Sequence, residues 1–198
     1  MNEPTLEYLA ANSGVNNLSK RRFLKSLACG SLLAMGPSKI VQAAFSNFTA
    51  HKTLSLEHHH TGDTLKLTYY EQGRYIHGAL EELSYFLRDY RNDAVHSVDP
   101  GLLDQLHDVK LLLGVNKPFE IVSGYRSPGT NASLRRHSRG VAKHSLHMEG
   151  RAVDIRMAGV SSKTIRNAAL TLQRGGVGYY PGSNFVHLDT GEIRTWHR

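Results

Sequence analysis

The chain has 198 residues, room for one ordinary domain plus an appendage, and its 40% hydrophobic and 21% charged residues are the balance of a globular protein that can bury a core without disulfide staples. Of its formal charge of +7, residues 44–198 carry about +4, spread without a long basic run, which suits a polyanionic surface better than a nucleic acid. The single cysteine, Cys29, falls in an N-terminal segment, so residues 44–198 exclude disulfides, thiolate catalysis and cysteine–zinc sites, and any metal site there must use histidine and carboxylate.

Residues 1–43 read as an export address. Ser19-Lys20-Arg21-Arg22-Phe23-Leu24-Lys25 resembles the twin-arginine export box, with either Lys20-Arg21 or Arg21-Arg22 as the pair. The apolar stretch Leu27 to Met35 is too short for a membrane span, which needs ~20 apolar residues. Pro37 breaks it, and Val41-Gln42-Ala43 reads as a small-residue cleavage site with the cut after Ala43. The expectation is a signal peptide over 1–43, a mature domain over 44–198 in the periplasm, and no membrane span.

In the mature part, Leu54-Ser-Leu56 and Leu65-Lys-Leu67-Thr-Tyr69 alternate as half-buried strands do, and Thr61-Gly62-Asp63 between them reads as the turn of a hairpin. His58-His59-His60 reads as a solvated loop segment, because consecutive strand side chains point to opposite faces and cannot easily share one ion. Helical spacing over 76–90 is set by Ile76, Leu80, Leu83 and Leu87. Asp99-Pro100 caps a second helix whose buried stripe is Leu102, Leu103, Leu106, Val109, Leu112 and Leu113. Phe119 to Val122 is a short strand running into Ser123-Gly124-Tyr125-Arg126-Ser127-Pro128, and 129–146 reads as an exposed basic loop with a helical turn. A strand over 151–155, a helix over 161–173, and strands over 176–180 and 185–189 around a Pro181–Asn184 turn complete the order. This is an α+β pattern: a central, mostly antiparallel sheet with helices packed on one face.

The chemistry concentrates in Ser145-Leu146-His147-Met148-Glu149-Gly150-Arg151-Ala152-Val153-Asp154-Ile155. His147 can end a loop while Asp154 points inward from the following strand, with Gly150 making the bend between them. A carboxylate in so apolar a strand is costly unless its charge has a partner, either a divalent cation or an arginine. His187, in the strand Phe185-Val-His-Leu-Asp189, is the third candidate. Two imidazoles and one carboxylate leave one position of a tetrahedral zinc shell open, the arrangement of a catalytic rather than a structural site.

The pattern Ser-x-His-x-x-Gly-x-Ala-x-Asp, followed by a late strand histidine and preceded by Ser123-Gly124-Tyr125-Arg126-Ser127, resembles the signature of the D-Ala-D-Ala metallopeptidases. These share one zinc fold with lysostaphin-type peptidases and the sonic hedgehog signalling domain, and the resemblance covers roughly residues 50–196. It implies a hedgehog/DD-peptidase-like fold in which His147, Asp154 and His187 bind Zn2+. It further implies that Arg126 binds substrate or supports the carbonyl oxygen in the transition state, and that Ser145 orients the site from behind. Some relatives carry a glutamate base three residues before the last histidine, where this chain has Asn184; others carry His-x-His, where it has His187-x-Asp189. Asp189 is therefore the candidate base or ligand-orienting residue, with His144 as the other candidate for moving the proton.

The implied substrate is peptidoglycan (murein), cut at D-Ala–meso-diaminopimelate cross-links and also between two diaminopimelates. The alternatives with the same ligands are a D,D- or L,D-carboxypeptidase on murein stems and a non-catalytic, zinc-containing wall-binding module. The aromatics Tyr125, Tyr179, Tyr180 and Trp196 read equally as a groove lining or as packing.

Overall fold

The computed structural model describes residues 51–138 and 140–198. The export box, the cleavage site after Ala43 and the boundary between the two expected segments lie outside the described residues. Among those described, eight strands form one sheet in the order β3-β2-β1-β4-β5-β7-β6-β8. They are β1 (His51–His58), β2 (Thr64–Glu71), β3 (Arg74–Tyr75), β4 (Phe119–Ser123), β5 (Ala152–Arg156), β6 (Gly176–Tyr180), β7 (Phe185–Asp189) and β8 (Arg194–His197). The helices are α1 (His77–Phe86), α2 (Pro100–Leu113), α3 (Pro128–His137) and α4 (Ser162–Thr171), with a 3-10 turn over Leu146–Glu149. The class is α+β, as expected. The sheet is mixed rather than mostly antiparallel, because β1 pairs in parallel with β4 and β6 with β8.

Period-two alternation decides which face is the core. Leu54 and Leu56 of β1, Phe119 and Ile121 of β4, Val153 and Ile155 of β5, and Val186 and Leu188 of β7 are all essentially inaccessible. They join Leu83 of α1, Leu102, Leu103, Leu106 and Val109 of α2, and Ile165 and Ala169 of α4 in one hydrophobic cluster. At about 1.5–3 kcal/mol for each fully buried aliphatic side chain, this face supplies most of the drive to fold. The residues between them, Asp154 on β5 and His187 and Asp189 on β7, necessarily point to the other face. The sheet thus has an apolar side that carries α1, α2 and α4 and a second side that carries the chemistry.

Local signals explain the helix ends. Asp99 caps α2 by accepting from the Gly101 amide at 2.8 Å, Pro100 takes the first helical position, and Gly114 ends the helix in the left-handed region. Leu112, expected in the buried stripe, is 51% exposed because the stripe has rotated away by that turn. The basic stretch after Pro128 is not a loop over its first half. Ser127 caps α3, accepting from the Thr130 amide at 3.3 Å with Pro128 behind it.

The histidine run also departs from expectation. β1 extends to His58, which continues the Leu54–Leu56 alternation and is buried. Its Nδ1 accepts from the His60 and Thr61 amides, both at 3.3 Å. His59 pairs with Glu120 at 2.6 Å, while His60 stacks on Tyr90, whose ring also meets His58 edge to face.

Candidate active site

Asp154 and His187 are register partners across the antiparallel β5–β7 ladder, so their side chains leave the same face side by side. His147 reaches them from the 3-10 turn, whose geometry depends on Gly150. That residue has φ +65°, and a Cβ there would lie 2.2 Å from the Ser97 carbonyl oxygen. The turn is tied to the upstream Ser123–Ser127 segment by the Arg126 amide, which donates to the His147 carbonyl at 3.1 Å.

Three donor atoms converge. His147 Nε2 lies 3.2 Å from His187 Nδ1 and 3.3 Å from Asp154 Oδ1, and His187 Nδ1 lies 2.9 Å from that same oxygen. The outer nitrogens fix what these inner ones present. His147 Nδ1 donates to the Gly124 carbonyl at 2.7 Å, and His187 Nε2 donates to Asp189 Oδ2 at 3.0 Å. In the neutral imidazoles both inner nitrogens then carry lone pairs aimed at each other and at a carboxylate oxygen. Such a cluster repels itself unless positive charge sits at its centre.

The electrostatics agree. Burial, helped by Arg126, pushes His147 down to about 4 against the pull of Asp154, so it is neutral at neutral pH. Burial also acts to lower His187, but its hydrogen bonds to Asp154 and Asp189 outweigh that and raise it. Burial works against the Asp154 charge, yet His147 and Arg126 hold its carboxyl well below the usual range. The set fits zinc: metal–ligand distances of about 2.0–2.1 Å in a tetrahedral shell place neighbouring donors ~3.3 Å apart. Among the described residues, His147, Asp154 and His187 are the one group of histidine and acidic side chains so placed.

The other expected residues fall around this centre. Arg126 hydrogen-bonds Asp154 Oδ2 through Nη2 and Ser123 Oγ through Nε, the latter at 2.8 Å, and also lines the cleft above. Ser145 and the exposed His144 line that cleft as well. Asp189 lies behind His187 with no solvent exposure, and its oxygens accept from the Gly176 and Gly191 amides, from Arg194 and from His187. Despite burial, the His187 and Arg194 hydrogen bonds hold it far below the carboxylate range. Of the two roles read for Asp189, the geometry favours orienting a ligand over taking a proton. Asn184, at the position where some relatives carry a glutamate, sits in the β6–β7 turn with φ +50° and does not line the cleft.

The cleft is open, about 490 Å³, and its walls include Tyr180, Phe185, Arg194, Trp196 and Arg198. Trp196 donates to the Tyr180 hydroxyl at 2.8 Å and lies 5.1 Å from the His187 ring. Sequence reasoning named Trp196 only as an undecided aromatic and missed Arg194 and the Gly124 carbonyl. The alternation of Arg194 and Trp196 is the one signal that β8 carried.

A buried His–Asp–His cluster at the floor of an open cleft, on the sheet face opposite α1, α2 and α4, has the donor set that a divalent metal centre requires. The profile of the family described as Peptidoglycan L,D-endopeptidase MepK matches residues 47–196. The chain is 45% identical over 174 residues to the peptidoglycan L,D-endopeptidase MepK of Escherichia coli strain K12, which covers 87% of this chain and 95% of that one. The protein of the same description from Shigella flexneri matches to the same extent. A probable peptidoglycan L,D-endopeptidase MepK from Haemophilus influenzae is 40% identical over 167 residues, 83% of this chain and 90% of its own. The chain belongs to this MepK family of peptidases.

Proposed function

We propose that this chain is a zinc-dependent peptidoglycan L,D-endopeptidase that opens peptide cross-links. The observation that carries the reading is the convergence of His147 Nε2, His187 Nδ1 and Asp154 Oδ1 at the floor of an open cleft. The family's description narrows the two cross-links considered. A D-alanyl link to a D centre is a D,D bond. Meso-diaminopimelate has one L and one D centre, so a bridge between two such residues can be the L,D bond.

In this reading His147, Asp154 and His187 hold the ion, which when bound polarises the scissile carbonyl and activates water. Gly124 and Asp189 fix the tautomers that present both nitrogens inward. Arg126 keeps Asp154 ionised and offers a fixed cation where negative charge develops on the carbonyl oxygen. His144, exposed on the cleft wall, is in this reading the group that moves the proton to the leaving amine, a task for which the enclosed Asp189 is unsuited. The twin-arginine-like box at Ser19–Lys25 and the site after Ala43 support export to the periplasm, where the substrate is found. No helix among the described residues is long and apolar enough to cross a membrane.

Digesting purified murein with and without a chelator, and resolving the fragments, tests this. The expected result is chelator-sensitive loss of diaminopimelate–diaminopimelate dimers. Release of terminal D-alanine alone would make the protein a carboxypeptidase, and unaltered murein would make it a binding module.

A further inference from the structure

The metal reading leaves Arg194 without a task, although the fold makes room for it. β8 pairs in parallel with β6, placing Arg194 beside Gly176 and Trp196 beside Gly178. The guanidinium grips Asp189 with two nitrogens, Nη1 to Oδ1 at 3.0 Å and Nη2 to Oδ2 at 2.6 Å. A Cβ at Gly176 would come within 2.4 Å of Asp189 Oδ2 and 2.6 Å of Arg194 Nη1, so that position must be bare for the pair to close. Asp189 in turn meets His187 Nε2 at 3.0 Å. A carboxylate with no solvent exposure is costly without a cation, and a planar guanidinium fixes its plane as well as its charge.

We propose that Arg194 is a positioning residue for the metal site, acting through Asp189 to hold the His187 ring with Nδ1 turned toward His147 and Asp154. The chain of contacts runs from the C-terminal strand to an inward nitrogen in two steps. Trp196, on the same face of β8 and against the same ring, closes the space in which the imidazole could otherwise swing. Arg194 touches none of the three converging atoms, so its effect is one of orientation and falls on ion affinity before anything else.

This rests on the zinc reading, and the test separates the two. Zinc ion is titrated against a chromogenic chelator in the wild-type protein, Arg194→Met, Arg194→Lys and a control, Arg174→Met, which loses an exposed pair with Asp108. Thermal melts of the metal-free proteins run alongside. The expected result is ~10–100-fold weaker zinc binding in Arg194→Met, the usual cost of losing an outer-shell partner, with a smaller loss in Arg194→Lys and none in the control. Wild-type affinity in a folded Arg194→Met overturns the assignment while leaving the metal site standing. If Arg194→Met does not fold, Arg194→Lys decides, since it keeps the charge but not the paired grip: weakened binding supports the assignment and wild-type binding overturns it. Absence of zinc binding by the wild-type chain removes the metal reading and this inference with it.

Discussion

Asp154 and His187 face each other across the β5–β7 ladder with Oδ1 and Nδ1 2.9 Å apart. One residue either way in register would send His187 into the apolar core and leave Val186 or Leu188 beside the carboxylate. The packing of Val153, Ile155, Val186 and Leu188 against the helices therefore fixes the register that builds the site.

An ion held only by the folded state stabilises it by mass action, about 2.7 kcal/mol at a hundredfold excess over Kd. For a domain of this size that is roughly 5–10 °C in Tm. Zinc should raise the melting temperature of the wild-type protein by that amount and leave His147→Ala unmoved, as read by calorimetry with and without the ion.

Arg126 is asked to do more than neutralise Asp154. If it also meets the developing oxyanion, Arg126→Lys should lower kcat by about 10²–10³-fold, the usual cost of one such donor, with a much smaller change in zinc affinity. Steady-state kinetics on a defined cross-linked muropeptide, together with a zinc titration, distinguishes this from simple loss of the ion.

Gly150 stands at φ +65°, and a methyl group there would overlap the Ser97 carbonyl oxygen. Gly150→Ala should cost about 1–3 kcal/mol for the backbone conformation, with the overlap added. Because the strained turn carries His147, activity should fall further than stability. Urea unfolding beside a murein digestion assay checks both.

Asp89 provides a pH signature away from the cleft. It has no solvent exposure and accepts from the Ser127 amide at 2.9 Å and the Arg91 amide at 3.2 Å. Burial opposes its charge, but hydrogen bonds from Thr130, Ser127 and Arg91 prevail and hold it below the ordinary carboxylate value. The unfolded chain therefore binds this proton more readily, with a pKa of about 3.9. The stabilisation is complete above that value and drains away as the pH falls through the lower folded one. Asp89→Asn should be less stable at pH 7 and lose stability less steeply on acidification, as measured by urea midpoints between pH 7 and pH 3.

Much of this was legible in the residues. Strand alternation located β1 and β2, short apolar runs and the turn at Pro181–Asn184 located β4 to β7, Asp99-Pro100 marked the start of α2, and His147 and Asp154 stand close enough in sequence to be read together. The pieces that were not legible depend on pairings distant in sequence. Arg194 is ordinary until β8 is laid parallel to β6, and the Gly124 carbonyl matters only once the 3-10 turn folds onto it. His58 and α3 were misread for a different reason. A run of three histidines and a stretch rich in arginine both look solvated, and that composition hid a period-two continuation in one case and a Ser-Pro cap in the other.

Everything proposed for the cleft requires that His147, Asp154 and His187 share one ion. Crystals grown with zinc and measured on both sides of its absorption edge test it most directly. The expected result is a single strong anomalous peak within bonding distance of His147 Nε2, Asp154 Oδ1 and His187 Nδ1. A zinc-loaded, active protein with no peak there, or with its peak on other side chains, would contradict it.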